Sequence, residues 1–278
     1  MAETDPHDWI GREFMSEDMM TERLVDSFRA TMDPYLAPIK AGEAPLGSHW
    51  CLFPTREPMA GLGADGHPAQ YPYLPPPPLP RRMWGGGQLD LIAPLQVGDR
   101  VTRKTVISDV KQKTGRSGDL WIVTLEHDYK TKRGTAIHER QDVVYRDPVS
   151  AKPQPAAKPG LGAERPDLPV LWEIATSPAL LFRYSAIIFV SHRIHYDLPY
   201  ATKVEGYDGL VVHGPLQATL LLNAVAKRCG RAHGRISYRG VSPAICGDTL
   251  SVCVDPSGEG DFHTRSARGI HMTGSTEG

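Results

Sequence analysis

The chain has 278 residues, 40% of them hydrophobic and 23% charged, the balance of a soluble globular protein, which excludes wholesale disorder. A formal net charge of -1 and a pI near 6.8 supply no global field that would recruit nucleic acid or an acidic membrane. The longest apolar stretches, such as 216–226, are too short and too interrupted to span a bilayer.

The acidic, polar start of the chain lacks the basic and apolar regions of a secretory signal, so a cytoplasmic protein is expected. Cys51, Cys229, Cys246 and Cys253 show no C-x-x-C spacing, which argues for buried, inert thiols over a zinc site or a disulfide framework. From Ser16, a candidate N-cap, a helix is predicted with Met19, Met20, Leu24, Val25 and Phe28 on one face, ended by Pro34 and Pro38. Residues 49–53 read as a short strand. The Pro-rich tract 54–80, with four consecutive prolines from Pro75, reads as extended loop, either a pocket wall or a surface wrap. After Trp84 and three glycines, the segments 88–94, 100–110, 120–129 and 136–145 predict an antiparallel meander of about four strands. Local basic clusters at 111–113 and 130–133 read as solvated strand ends.

A second tract rich in Pro, Ala and Gly, 151–170, reads as a linker between two units, 1–150 and 171–278. The second unit opens with a helix or turn near Ser177 and Pro178. A largely buried helix is predicted from Pro215, which suits a first helical position, to about Arg228, with Gly230 as its stop. Candidate strands follow at 236–241, 249–254 and near 263–272. The segments 94–101 and 243–250 share Pro, Gly-Asp and a terminal aliphatic at the same offsets. With the matching strand patterns, this suggests two copies of one α+β unit, each Gly-Asp making a tight turn between antiparallel strands.

The segment 190–217 carries the chemistry. An apolar run ends at Val190, and Ser191, His192, Arg193, His195 and Tyr196 follow; a Gly-rich turn then leads to His213, Gly214 and Pro215 at the start of the apolar helix. Imidazoles beside a helix N-terminus suit a site that moves a proton and polarises a carbonyl.

The residues Tyr184, Ser185 and Ala186, the run Arg193-Ile-His-Tyr-Asp197, Tyr200 and Ala201, and the run from Glu205 to Gln217 resemble the MaoC-type hydratase/dehydratase family. The match is closest to the mesaconyl-C4-CoA and itaconyl-CoA hydratase group. That resemblance implies an α+β double hot dog whose first copy is degenerate. It implies addition or removal of water at a 2-enoyl thioester, best read as a branched C5-dicarboxylyl-CoA. It implies an acyl-CoA substrate, with no metal or redox cofactor and with CoA entering only as part of that substrate; monomer and homodimer both stay open. His195 falls at the family's catalytic histidine, and Gly214 at the backbone N–H that receives the thioester oxygen.

The family places an aspartate, or an amide in its closest subgroup, five positions before the histidine, where this chain has Val190. Either Ser191 or His192 takes over the polar role, or the loop is shifted by a residue, or the chain binds a thioester without efficient hydration. Arg193 pairs either with a substrate anion or with Asp197 or Glu205. His213, Tyr196, Pro215 and Val190 are read as lining the substrate.

Overall fold

Ten antiparallel strands form one sheet in the computed structural model, which describes residues 5–115, 118–147, 167–231 and 234–277. The strands are β1 (Glu13–Met19), β2 (Arg81–Leu91), β3 (Arg100–Gly115), β4 (Gly118–Thr131), β5 (Gly134–Arg146), β6 (Val170–Ala175), β7 (Gly234–Gly240), β8 (Thr249–Val254), β9 (Asp261–Ser266) and β10 (Gly269–Glu277). Their order across the sheet is β1-β3-β4-β5-β2-β7-β10-β9-β8-β6. The order reads the same from both ends: β2 and β7 meet at the centre, Gly87 opposite Tyr238 and Leu89 opposite Ile236, and each half repeats the other outward. Two copies of one unit are thus visible in the topology.

The Gly-Asp repeat has a different job from the one expected. The strands it joins, β2 to β3 and β7 to β8, are not neighbours in the sheet, and β2 is separated from β3 by β4 and β5. The motif instead ends a crossing loop. Gly98 (φ 88°) and Gly247 (φ 101°) turn the chain in a left-handed conformation that glycine adopts without strain. The aspartate that follows then binds an arginine from a distant hairpin: Asp99 takes Arg133 between β4 and β5 in two bonds of 2.5 and 2.6 Å, and Asp248 takes Arg268 between β9 and β10 at 2.7 Å. Arg133, read as a solvated strand end, is therefore a bracing cation.

Three α-helices accompany the sheet among the described residues. Residues 13–19 alternate exposed and half-buried side chains against β3, so Ser16 lies in β1 and Thr21 caps α1 (Glu22–Met32) through the Leu24 amide. Ser177 caps α2 (Pro178–Ile187) at the equivalent place after β6, a strand the sequence reading did not foresee. α3 (Gly214–Cys229) buries every side chain from Leu216 to Ala226, the leucines each contributing roughly 1.5–3 kcal/mol. Gly230, at φ 67°, closes it as expected. In the first half, the same place after the loop bond to the crossing strand holds only a 3₁₀ turn, Ser48–Cys51, where a strand was predicted. The first copy has kept the sheet and reduced its central helix to that turn. The segment 263–272 is a hairpin of β9 and β10 with no more than a two-residue turn, which a single-strand reading runs together.

The main apolar core draws on both halves, joining Leu89, Tyr129 and Ile137 to Leu216, Leu220 and Phe262. The tract 54–80 runs as loop, with one 3₁₀ turn at Met59–Gly61; Tyr71, Tyr73, Leu74 and Leu79 pack on Ile107, Val123 and Tyr145 of the first half, and residues 64–67 reach the second. Most of the expected linker, 151–166, lies outside the described residues. All four cysteines are free; Cys51 and Cys253 are buried, and burial pushes the Cys51 thiol up to about 12. No helix among the described residues is long and apolar enough to cross a membrane.

Candidate active site

The loop leaving α2 is anchored at both ends. The Val190 amide donates to the Ser185 carbonyl at 2.9 Å, and the 3₁₀ turn Arg193–His195 is held beside the segment entering α3 by the Val211 amide on the Ile194 carbonyl, also 2.9 Å. This pairing brings His195 and His213 together, rings nearly parallel with centroids 3.6 Å apart. His195 Nδ1 lies 2.7 Å from the Val211 carbonyl oxygen, which can only accept, so Nδ1 carries the proton and Nε2 presents a lone pair. Burial holds the imidazole at about 4, below its ordinary range, despite the opposing carbonyl bond. His195 is therefore a neutral base at physiological pH.

His213 is buried, not at a pocket mouth. Its Nε2 meets the Ser185 hydroxyl at 2.8 Å, and its Nδ1 has no hydrogen-bond partner among the described residues. Burial, then His195 and His192, keep it far below the usual histidine range. His213 is followed by the first turn of α3, whose amides have no intrahelical acceptor and carry the positive end of the dipole. A Cβ on Gly214 would sit 2.8 Å from Trp84 Cε3, so only glycine admits the indole there. Trp84 comes from β2 and is wedged between Trp50 and Tyr238, at 5.6 and 4.8 Å. The Trp-Gly-Gly-Gly segment thus places a wall from the first half against the helix start of the second. Pro215 occupies the first turn as expected.

The tract 54–80 supplies the part that the sequence reading missed. Residues 64–67 dock on the loop: the Arg193 amide donates to the Asp65 carbonyl (2.8 Å), Arg193 Nη1 to the Ala64 carbonyl (2.9 Å), and the Ser191 hydroxyl to the Gly66 carbonyl. His67 is delivered against His192, centroids 4.1 Å apart, and His192 stands edge-on to His195 at 5.5 Å. Four imidazoles, His67, His192, His195 and His213, thus run in one contiguous row. Asp65 accepts from both the amide and Nδ1 of His67 at 3.0 Å, leaving His67 Nε2 as the free lone pair. Burial alone would raise Asp65, but the bonds to His67 outweigh it and bring the carboxyl to about 2. Burial brings His67 to about 4 and, with help from His67 and His195, His192 to about 2. Asp65, His67 and His192 also offer three ligand atoms within 4.8 Å of one another, the one such cluster among the described residues. A D-G-H tripeptide in a Pro-rich loop was the signal present in the sequence; nothing local tied it to residues 125 positions away.

Other expected residues are placed elsewhere. Ser191 spends its hydroxyl on Gly66. Arg193 binds Asp197 through Nε and Nη2 and lies over Tyr200 at 4.1 Å, so it braces the loop instead of facing a substrate anion. Tyr196 is 51% exposed and lies outside the row. Val190 is apolar and half-buried, held by the hydrogen bond from its amide to the Ser185 carbonyl.

A twice-repeated antiparallel sheet around a buried helix, with a histidine loop at that helix's N-terminus, defines an acyl-thioester hydratase or dehydratase of the MaoC-like hot-dog class. Residues 47–246 match the hydroxyacyl-thioester dehydratase type 2 family, and the chain belongs to it. It is 37% identical over 262 residues to the mesaconyl-C(4)-CoA hydratase of Chloroflexus aurantiacus, covering 93% of this chain and 92% of that one. Among solved structures, HtdX of Mycobacterium tuberculosis superposes with a TM-score of 0.67 at 19% identity, over 96% of this chain and 100% of the other. A double hot-dog protein from the same organism gives 0.58 at 12% identity, covering 96% and 95%.

Proposed function

We propose that the protein hydrates a 2-enoyl-CoA thioester, with an acyl group of the branched C5-dicarboxylyl type, and that His195 is its general base. The observation that carries this reading is the fixed orientation of His195: a neutral imidazole, its Nδ1–H committed to the Val211 carbonyl, with Nε2 free beside the first turn of α3. In the proposed step, water bonds to the β-carbon as Nε2 takes its proton. The π electrons move toward the thioester oxygen, whose developing charge meets the free amides and positive dipole end of α3. The proton on His195 then passes to the α-carbon, so the imidazole ends neutral as it began. In this reading His67, backed by Asp65, supplies the polar contact to the water that the apolar Val190 does not.

The acyl class is supported by the name of the relative at 37% identity. The same groups run the reverse reaction by microscopic reversibility, and the family's description as hydroxyacyl-thioester dehydratases supports dehydration of a 3-hydroxyacyl thioester as a second reading. The test is loss of the conjugated double bond's ultraviolet absorbance across a panel of enoyl-CoAs including the mesaconyl and itaconyl forms. His195→Ala is expected to lower kcat by about 10²–10⁴-fold. Turnover by that variant at the wild-type rate sinks the assignment.

A further inference from the structure

Two adjacent arginines open β2, and they are used differently. Arg81 is neutralised: its Nε meets Glu205 Oε2 at 3.0 Å and Nη2 donates to the Glu205 carbonyl at 2.8 Å. Arg82 has no carboxylate within ion-pair distance among the described residues. It donates through Nη2 to the Tyr71 hydroxyl at 2.7 Å and lies over the Tyr71 ring at 4.0 Å. Both neighbouring phenols are uncharged: burial pushes Tyr71 and Tyr145 up to about 12 although Arg82 pulls the other way. A half-buried guanidinium is left with its full charge and only neutral partners.

Its position gives that charge a direction. Residues two apart on a strand share a face, so Arg82 lies on the side of β2 that carries Trp84, the indole packed on Gly214 at the start of α3. Tyr71, which it covers, is 6.4 Å from His67, the first imidazole of the row. Arg82 also acts electrostatically on both His67 and His192. The cation therefore stands at the end of the histidine row, across from the helix N-terminus that would hold the thioester. A planar guanidinium with vacant charge suits a carboxylate, which it can grip with two parallel bonds.

We propose that Arg82 is the specificity-determining anchor for the free carboxylate of a dicarboxylic acyl thioester, presented by the Pro-rich loop through Tyr71. This rests on the thioester reading above and deepens it, because it assigns the second carboxylate of the substrate to one residue. An anion at Arg82 has two sources, the acyl carboxylate or a CoA phosphate, and the test separates them. Mesaconyl-CoA carries both, crotonyl-CoA only the phosphates, and the mesaconyl thioester of N-acetylcysteamine only the carboxylate.

The expected result for Arg82→Met is a fall on the order of 10²-fold in the ratio of kcat/KM for mesaconyl-CoA to that for crotonyl-CoA, expressed mainly in KM. The N-acetylcysteamine thioester should lose as much as mesaconyl-CoA, and Arg82→Lys should keep part of the preference. Equal losses on mesaconyl-CoA and crotonyl-CoA, or no loss on the N-acetylcysteamine thioester, overturn the anchor. Calorimetric binding of methylsuccinyl-CoA against butyryl-CoA, saturated analogues that cannot be hydrated, reads the same ratio without turnover. A protein that hydrates nothing but shows an Arg82-dependent binding preference sinks the reaction and keeps the anchor. A protein that hydrates enoyl-CoAs with no such preference does the opposite.

Discussion

Gly66 faces Ser191 so closely that a Cβ on Gly66 would lie 2.0 Å from the Ser191 carbonyl oxygen. With φ at 85°, the position also has a backbone conformation that other residues adopt only under strain. This contact lets residues 64–67 lie close against the loop that follows α2. Gly66→Ala is therefore expected to lift residues 64–67 off that loop and cost about 1–3 kcal/mol in urea denaturation. Ser191→Ala, which removes only the hydroxyl bond to the Gly66 carbonyl, should cost about 1 kcal/mol. Limited proteolysis within 54–80 reads the same event directly. A Gly66→Ala protein as resistant and as active as wild type means that the tract is a passive surface wrap.

His67 tests what that docking is for. Replacing it with alanine removes an imidazole from the row while leaving His195 on the Val211 carbonyl. Hydration is expected to slow by about 10²-fold with little change in thermal midpoint, and added imidazole should restore part of it. Asp65→Asn keeps the ring but weakens the bond that fixes its tautomer, so a smaller loss, about tenfold, is expected. If activity disappears on chelation and returns with zinc, the cluster of Asp65, His67 and His192 is a metal centre, and the water-holding role of His67 is wrong.

The parts legible in the sequence were those fixed by local chemistry. α3 showed itself through an apolar run between Pro215 and Gly230, and the two copies through a shared Gly-Asp offset. His195 and Gly214 could be assigned to one neighbourhood because the segment holding both is contiguous, and the structure does set His195 on His213 at the start of α3. The sites that escaped depend on distance in the chain. Asp65 and His67 meet His192 only because a long loop returns across the second half, and no periodicity encodes that return. For Arg193 the sequence left a substrate anion or Asp197 or Glu205 as partners, and Asp197, four residues on, takes it, while Arg82, far upstream, has no carboxylate partner among the described residues. Ser16 read as a cap because Ser, Thr and Asp look alike before a helix; strand pairing with β3 decided for Thr21.

The two Gly-Asp braces are equivalent in topology but not in burial. Asp99 is 5% exposed and gripped by Arg133 in two bonds, whereas Asp248 is 30% exposed and shares Arg268 with Asp208. Asp99→Asn weakens two charge-assisted bonds at a buried carboxylate but leaves Arg133, 36% exposed, within reach of water, whereas the Asp248 pair is exposed on both sides and screened. Asp99→Asn is thus expected to cost about 1–2 kcal/mol and Asp248→Asn less than about 1, measured as shifts in urea midpoint at constant slope. A reversal of that order would mean that the first copy of the sheet contributes less to stability than the second.

Acid should unfold this protein through its histidines before its carboxylates. Burial depresses His67 and His195 to about 4 and His49 and His127 to about 3, against an ordinary value of 6.5. Below pH 6.5 the unfolded chain therefore binds protons that the folded chain refuses. The stability each group contributes is complete above 6.5 and is lost as pH falls toward its folded value. Each buried histidine costs roughly 1 kcal/mol by pH 5.5. Asp65, depressed to about 2, has the opposite window: its contribution is intact above 3.8 and is lost only between there and about 2, so it is silent in this range. The slope of unfolding free energy against pH between 6 and 5 should correspond to at least about three protons taken up on unfolding. His127→Gln, which leaves the proposed active site untouched, should reduce that number by about one. A slope below one proton would mean that these histidines are solvated in the folded protein and that the row at the candidate site is open to water.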